Sequence, residues 1–523
     1  MSIQQNFPTI NYRHISPIVA ASAVAASVCY FLFSKNTSHK GLNNIPSPKR
    51  NYPIFGHMFS LGKVPAEQID EWHKELGPII QLQVGSQVWV VVSNPHLAHE
   101  LFTLRGSVTS ARPSHFYFMD IYSRGGKGVV FVSATKSWKM ARATAMGLLS
   151  FASVKRLSGV FQKEADIMVD YMLKSTKKDG SVDSLKNLQL VAFNVIMSTC
   201  FGKRYNSIED PEVVSMFAFI NQHNIYARIE DDPGSFFPYL SWILNLSNKK
   251  RKMDQFVRAN RDKLFYELIK EARNGTSDCF VKSLYETDAK HSLNDLDIMI
   301  MMSDIVIAGS ETTAVAMSWL IAVTLNYPEI QTKIQAEIDA FTSEYGRLPE
   351  FSEAHKLPYL CSTQKESLRY RSITTFGLPH EASEDIDFKG YHIPKGAMLI
   401  VSMKTLHMNS DKYKDPEKFI PERFMDKYTT ISSAANGPIL ERDQYNFGWG
   451  RRICPGIHLA EMEMFEVFIR LFSSCDISPA LDTNGNPIKV DLEGFRDYGL
   501  VDAPLPYGFR ITERAADLLF QVT

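Results

Sequence analysis

The chain has 523 residues, 45% of them hydrophobic, and its 57 basic side chains balance its 57 acidic ones. A neutral chain carries no global field to gather nucleic acid, and this apolar content is enough for a large core. Six cysteines, at 29, 200, 279, 361, 454 and 475, are scattered without a CxxC pair, which excludes a disulfide framework and suits a reducing compartment.

Length alone suggests about three domains, but no internal repeat or low-complexity tract divides the chain. Ile15 to Phe33 is uncharged and mostly apolar, long enough to cross a membrane once. A cleaved signal peptide, with small residues near Ala20 to Ala26, is the rival reading. Charge decides between them: only Arg13 precedes the segment, whereas Lys35, Lys40, Lys49 and Arg50 follow it. The positive-inside rule then places a short lumenal piece, 1–14, across the membrane from a cytosolic bulk. The sequons at Asn36, Asn245 and Asn274 accordingly face the cytosol and stay unmodified. Residues 34–56 form a basic hinge stiffened by Pro46, Pro48 and Pro53, ahead of a catalytic body at 57–523.

Ile79–Val84 and Val88–Val92 flank Gly85-Ser86, a hairpin signature. Phe116 to Tyr122 is too aromatic for an ordinary loop. Trp138 and Arg142, four apart, share a helix face. The middle, about 155–290, reads as mostly helical, with Arg273-Asn274-Gly275 closing one helix. Within it, Phe236 to Leu244 is apolar and Lys249 to Lys252 is basic, a pairing that suits a bilayer surface.

From Ser292 to Asn326 the chain predicts one long helix, with Ser292 and Asp295 as its capping pair and Tyr327-Pro328 as its stop. At ~1.5 Å per residue it is about 50 Å long. Inside lies Ala308-Gly309-Ser310-Glu311-Thr312-Thr313. A mid-helix glycine costs about 1 kcal/mol against alanine, and an acid beside a threonine breaks an apolar run, so a local need is implied. Ala308, Glu311 and Thr312 share one face. Further on come Glu366 and Arg369, a pair worth little if solvated, then Ile373 to Pro379, His380, the strand–turn pair Gly390 to Gly396, Arg423 in Pro421-Glu422-Arg423-Phe424, and Gly499-Leu500-Val501. Finally, Phe447-Gly448-Trp449-Gly450-Arg451-Arg452-Ile453-Cys454-Pro455-Gly456 leads into an amphipathic run. Pro455 suits a helix start, so Cys454 is expected at a helix N-terminus, where the dipole favours a metal-ligating thiolate. Gly450 and Gly456 give the backbone room near the sulfur.

The stretch from Phe447 to Gly456 resembles the haem-thiolate loop F-x-x-G-x-R-x-C-x-G of the cytochrome P450 family, with Phe447, Gly450, Arg452, Cys454 and Gly456 in register. Ala308-Gly309-x-Glu311-Thr312 resembles the family's oxygen-activation motif A-G-x-[DE]-T. The resemblance implies a mainly α fold with a small β region, built as one large helical domain around a buried haem and a long central helix. It implies haem b (iron protoporphyrin IX) with Cys454 as axial ligand, Phe447 shielding the sulfur, and Arg452, Trp138, Arg142 and His380 on the propionates. In that motif Ala308 and Gly309 would leave a groove for O2, Thr312 would hydrogen-bond the bound oxygen, and Glu311 would pass protons inward.

The same resemblance joins Glu366, Arg369 and Arg423 into a buried network under the haem loop. It puts Phe116, Tyr117, Ile305, Ala308, Phe376 and Leu500 around the substrate. Ser372 stands where members often carry proline. The implied reaction inserts one atom of O2 into an apolar organic molecule by hydroxylation or epoxidation. Electrons would come from a membrane-bound NADPH–cytochrome P450 reductase, with cytochrome b5 as a further partner, docking near Lys136, Lys139 and Arg451. The implied setting is the endoplasmic reticulum membrane, single-pass, and the wording of the motifs is nearest to fungal microsomal oxidases. NADPH would act only indirectly, because Gly448, Gly450 and Gly456 do not follow a strand as a dinucleotide fingerprint requires. Two rivals stay open: a reductase-independent haem-thiolate isomerase or dehydratase of peroxides, and a non-enzymatic haem sensor.

Overall fold

The computed structural model describes residues 43–49, 51–228, 232–238, 248–286 and 293–514. The expected anchor at 15–33, residues 34–42 and Arg50 of the hinge, the sequons at Asn36 and Asn245, Ser292 and residues 239–247 lie outside the described residues.

The central helix runs from Asp295 to Asn326. Its start differs from the sequence expectation: Asn294 is the cap, accepting from the Asp297 amide at 3.0 Å while the Asp297 carboxylate accepts from the Asn294 amide at 3.1 Å, a reciprocal arrangement that satisfies two orphan donors. It ends at Tyr327 (φ −128°, ψ 74°), held out of helical geometry by Pro328, which opens the next helix, Pro328–Tyr345. The central helix is apolar on all sides and buried on all sides, as expected of a helix wrapped by others. Among the described residues it is the one helix long and apolar enough to cross a membrane, yet it lies inside the molecule.

Around it pack Ser184–Phe201, Pro358–Tyr370 and the cysteine helix Ile457–Ser474, the last also against Ser158–Asp179 and Pro328–Tyr345. Gly309 sits where the central helix meets Ser184–Phe201: a Cβ there would lie 3.1 Å from Ile196 Cδ1 and Cγ1. The helix is continuous through Gly309, so the described need for glycine is this close approach.

The small β region is a four-stranded sheet. Ile79–Val84 pairs antiparallel with Gln87–Val92, which pairs parallel with Met398–Val401, which pairs antiparallel with His380–Glu381. Ile386–Phe388 and Tyr391–Ile393 form a separate hairpin, and Gly499 to Val501 is the turn between Phe495–Asp497 and Asp502–Pro504.

Two aromatic stretches depart from expectation. Tyr117–Tyr122 is a wide helical turn in which Tyr117 is fully buried, its hydroxyl 3.0 Å from His223 Nδ1. Its rings stabilise core packing. Phe236 is buried against the hairpin, its carbonyl accepting from the Ser86 hydroxyl at 2.7 Å, so this end of the Phe236–Leu244 run is interior and not bilayer-facing.

Candidate active site

The cysteine loop is seated by its glycines. Gly450 has φ +52°, and a Cβ there would come 2.4 Å from the Phe102 carbonyl oxygen, so only glycine lets the loop lie on the His99–Leu104 turn. The Cys454 amide donates to the Phe447 carbonyl at 2.7 Å and closes the loop. Gly456 is the cap of the cysteine helix and Pro455 precedes it, one step earlier than the first helical turn expected from sequence. Burial pushes the Cys454 thiol up, against the Gly456 amide and the Arg142 charge, which pull it down. The helix terminus therefore does not make a thiolate unaided; a coordinating metal cation would.

Cys454, Phe447, Pro455 and Gly456 border a cavity whose other walls are Ile305, Ala308, Gly309 and Thr312 of the central helix, together with Val129, Val130, Phe376 and Leu378. Ala308 is exposed although Ile307 beside it is buried, because it faces this cavity. The Thr312 hydroxyl donates to the Ala308 carbonyl at 2.7 Å. Glu311 lies behind the wall, its carboxylate accepting from Asn224 Nδ2 at 2.9 Å. Burial pushes Glu311 up to about 7, with Asn224 pulling it back.

The electrostatics of the cavity ask for an anion. Arg112, Arg142 and Arg452 all border it, and among the described residues none has a carboxylate partner. Burial, then Arg142, pulls Arg112 down to about 9; burial, then Arg112 and Arg142, pulls Arg452 down to about 8. Such crowded, buried guanidiniums are costly without an opposite charge, and a ligand bearing carboxylates answers them. A flat apolar group with carboxylate arms and a metal centre, such as haem, fits this donor set of three guanidiniums, one cysteine and aliphatic side chains lining one cavity. Arg112 was not legible as a site residue; its one sequence signal is the lack of any acid between Gly106 and Met119.

Of the four expected propionate ligands, Arg452, Arg142 and His380 border the cavity and Trp138 does not. Arg142 borders the cavity and donates to the Ile453 carbonyl. His380 borders it too, with Nδ1 2.8 Å from the Thr109 carbonyl. That carbonyl only accepts, so Nδ1 carries the hydrogen; burial and then Arg112 hold His380 neutral, well below the ordinary histidine value. Trp138 does not border the cavity. Its indole N–H is committed to the Val129 carbonyl at 2.9 Å, and Arg452 lies over its ring at 4.1 Å.

A second, outer chamber shares Arg112, Thr374, Phe376, Gly377 and Leu378 with the first. Phe376 and Leu500 line it, and so do Phe118 and Phe131, stacked at 3.8 Å. Phe116 and Tyr117 line neither space; the wall aromatic of that turn is Phe118, which a sequence without the turn's phase does not reveal.

Behind the loop, Arg369 donates to both Glu366 oxygens at 2.6 and 2.8 Å, and Arg423 Nε reaches the same carboxylate at 3.0 Å. Arg369 also holds the His407 carbonyl at 2.9 Å, and His407 Nε2 accepts from the Tyr445 amide at 3.3 Å. The triad thus reaches the start of the cysteine loop through one residue.

The family model described as Cytochrome P450 matches residues 46–497. The chain is 28% identical to cytochrome P450 monooxygenase virE of Hypocrea virens, covering 93% of this chain and 88% of the relative. It is 29% identical to an Armillaria gallica cytochrome P450 monooxygenase, covering 90% of each chain. A zebra fish cytochrome P450 structure with abiraterone superposes with a TM-score of 0.70 at 25% identity, over 86% of this chain and 100% of that one. With the domain match over most of the chain, the helical architecture and these relatives, the chain belongs to the cytochrome P450 family, as a monooxygenase of the fungal kind.

Proposed function

We propose that the protein inserts one atom of O2 into an apolar organic substrate, with electrons passed from NADPH through a membrane-bound reductase. The observation that carries this reading is the shared cavity, lined both by Cys454 and by Ala308, Gly309 and Thr312 of the central helix. Haem, when bound, supplies the oxygen activation and the redox chemistry. Cys454 would ligate it, and Arg112, Arg142 and Arg452 would hold its carboxylates. The apolar wall of Val129, Ile305, Phe376 and Leu378 excludes water and orients a hydrocarbon surface. Glu311, poised near neutrality by burial, suits proton transfer at working pH, and the Thr312 hydroxyl, its hydrogen held by the Ala308 carbonyl at 2.7 Å, offers acceptor lone pairs at the cavity wall and becomes a donor there only by turning away from that carbonyl. A reductase-independent isomerase of peroxides needs no such relay, and a haem sensor needs no apolar chamber beyond the haem.

The membrane setting rests on the apolar run Ile15 to Phe33 and the basic residues after it. Docking of the reductase rests on exposed Lys136, Lys139 and Arg451 on the cysteine side, where acidic partners would be steered. The test is oxygen uptake by the full-length protein in vesicles, titrated with reductase and NADPH. Uptake that requires both, and that weakens with Lys139→Glu and Arg451→Glu in a salt-dependent way, is the expected result. Turnover of a peroxide with neither present would overturn the reading.

A further inference from the structure

The stretch 123–132 has only turns and bends, so its backbone groups find no partners in a helix or ladder and must find them elsewhere. At Val129 and Val130 every one is met by a side chain. Both amides donate to Asp304 Oδ2, at 2.7 and 3.2 Å. The Val129 carbonyl accepts from Trp138 Nε1 at 2.9 Å and from Arg452 at 3.3 Å, and the Val130 carbonyl accepts from Arg112 Nε at 3.0 Å. Two residues are thus clamped between a carboxylate on the central helix and Trp138 together with two of the cations that border the anion site.

Asp304 is built for this one geometry. It is 3% exposed, and its second oxygen accepts from the Tyr122 hydroxyl at 2.9 Å. Gly128 has φ +103°, and a Cβ there would stand 2.7 Å from Asp304 Oδ2, so a side chain at 128 would drive the carboxylate off the two amides. Burial lifts Asp304 to about 6, against the pull of its three donors and Arg261. Asp304 is one turn before Ala308, and Val129, Val130 and Ile305 form the wall over the same cavity.

We propose that Asp304 is a specificity-determining positioning residue: it latches Val129–Val130 to the central helix, fixes the free space above Ala308, and so decides which substrates fit there. The proposal rests on the haem-thiolate reading of the cavity. It acts through the loop and touches no reacting atom.

The test uses the haem-loaded full chain and two probes that bind haem iron directly, imidazole and the bulkier 4-phenylimidazole, followed by their spectral shifts. The carbon monoxide difference spectrum of each variant first checks the haem-thiolate reading separately; its absence in the wild type would sink that reading and not the latch. Asp304→Asn exchanges two charge-assisted hydrogen bonds to the loop amides for weaker neutral ones. It should keep the spectrum and its imidazole affinity, while the affinity ratio of 4-phenylimidazole to imidazole changes by about tenfold. Hydrogen exchange of the 123–132 peptide, measured also without haem, should speed up by about tenfold. Tyr122→Phe removes one donor to Asp304 and leaves the loop amides in place; it should move the ratio in the same direction by a smaller factor, and it serves if Asp304→Asn does not fold. An unchanged ratio with an intact spectrum in whichever variant folds overturns the proposal.

Discussion

Glu311 shows what a single side chain owes to its surroundings. Its identity as an acid beside Thr312 is plain in the sequence, but its proton affinity comes from burial and from Asn224 on the helix Pro211–Tyr226, which nothing in the local sequence announces. The folded value of about 7 stands above the ordinary 4.5 of a free glutamate. A raised carboxyl favours the protonated form, so its share of stability is full below about 4.5 and is lost as pH rises through about 7. Turnover that uses this proton should fall over the same upper range. Glu311→Gln should lower product formed per O2 consumed by about a hundredfold and flatten the pH profile near 7; a profile identical to wild type would show that the proton travels elsewhere. Trp138 teaches the complementary lesson. Its spacing to Arg142 is legible, whereas the target of its N–H is set by the Val129 carbonyl, brought in by a loop whose course no periodicity encodes.

Elements were legible to the extent that their own residues decide them. The central helix follows from its apolar run and from Pro328, but its cap moved to Asn294 because the Asn294–Asp297 pair closes a reciprocal box. The cysteine helix follows from its apolar stripe, yet three of its acids, Glu461, Glu463 and Glu466, are buried too. Glu461 accepts from the Ile431 amide at 2.5 Å and so caps Ile431–Asn436, and Glu466 pairs with Arg470 at 2.5 Å. Glu463 has no hydrogen-bond partner among the described residues, and burial pushes it up to about 8. Its ionisation is therefore a liability that grows as pH climbs from about 4.5 to about 8, at about 1.4 kcal/mol per unit as an upper bound. Glu463→Gln should melt at nearly the wild-type temperature near pH 5 and several degrees above it at pH 8.5. Equal melting at both pH values would mean that the carboxylate has found a partner.

At the scale of the molecule, two motifs separated by more than a hundred residues meet across one cavity because the central helix and the cysteine helix cross the same core. That meeting is what a family resemblance can carry and what composition and periodicity cannot. The Glu366–Arg369–Arg423 network holds the proximal side together from within, with Glu366 and Arg369 fully buried; removing one partner from such a set costs about 3–5 kcal/mol. The walls are another matter. Arg112, Asp304, Phe118 and Phe131 come from loops and helix phases fixed only by tertiary packing, and they escaped a reading by motif. All of this chemistry depends on the bond from Cys454 to haem iron, which the carbon monoxide difference spectrum of the dithionite-reduced protein reports. A red-shifted, thiolate-type Soret band is expected in the wild type and should be lost in Cys454→Ser; a histidine-type band in the wild type, or a band unmoved by Cys454→Ser, would rule the bond out.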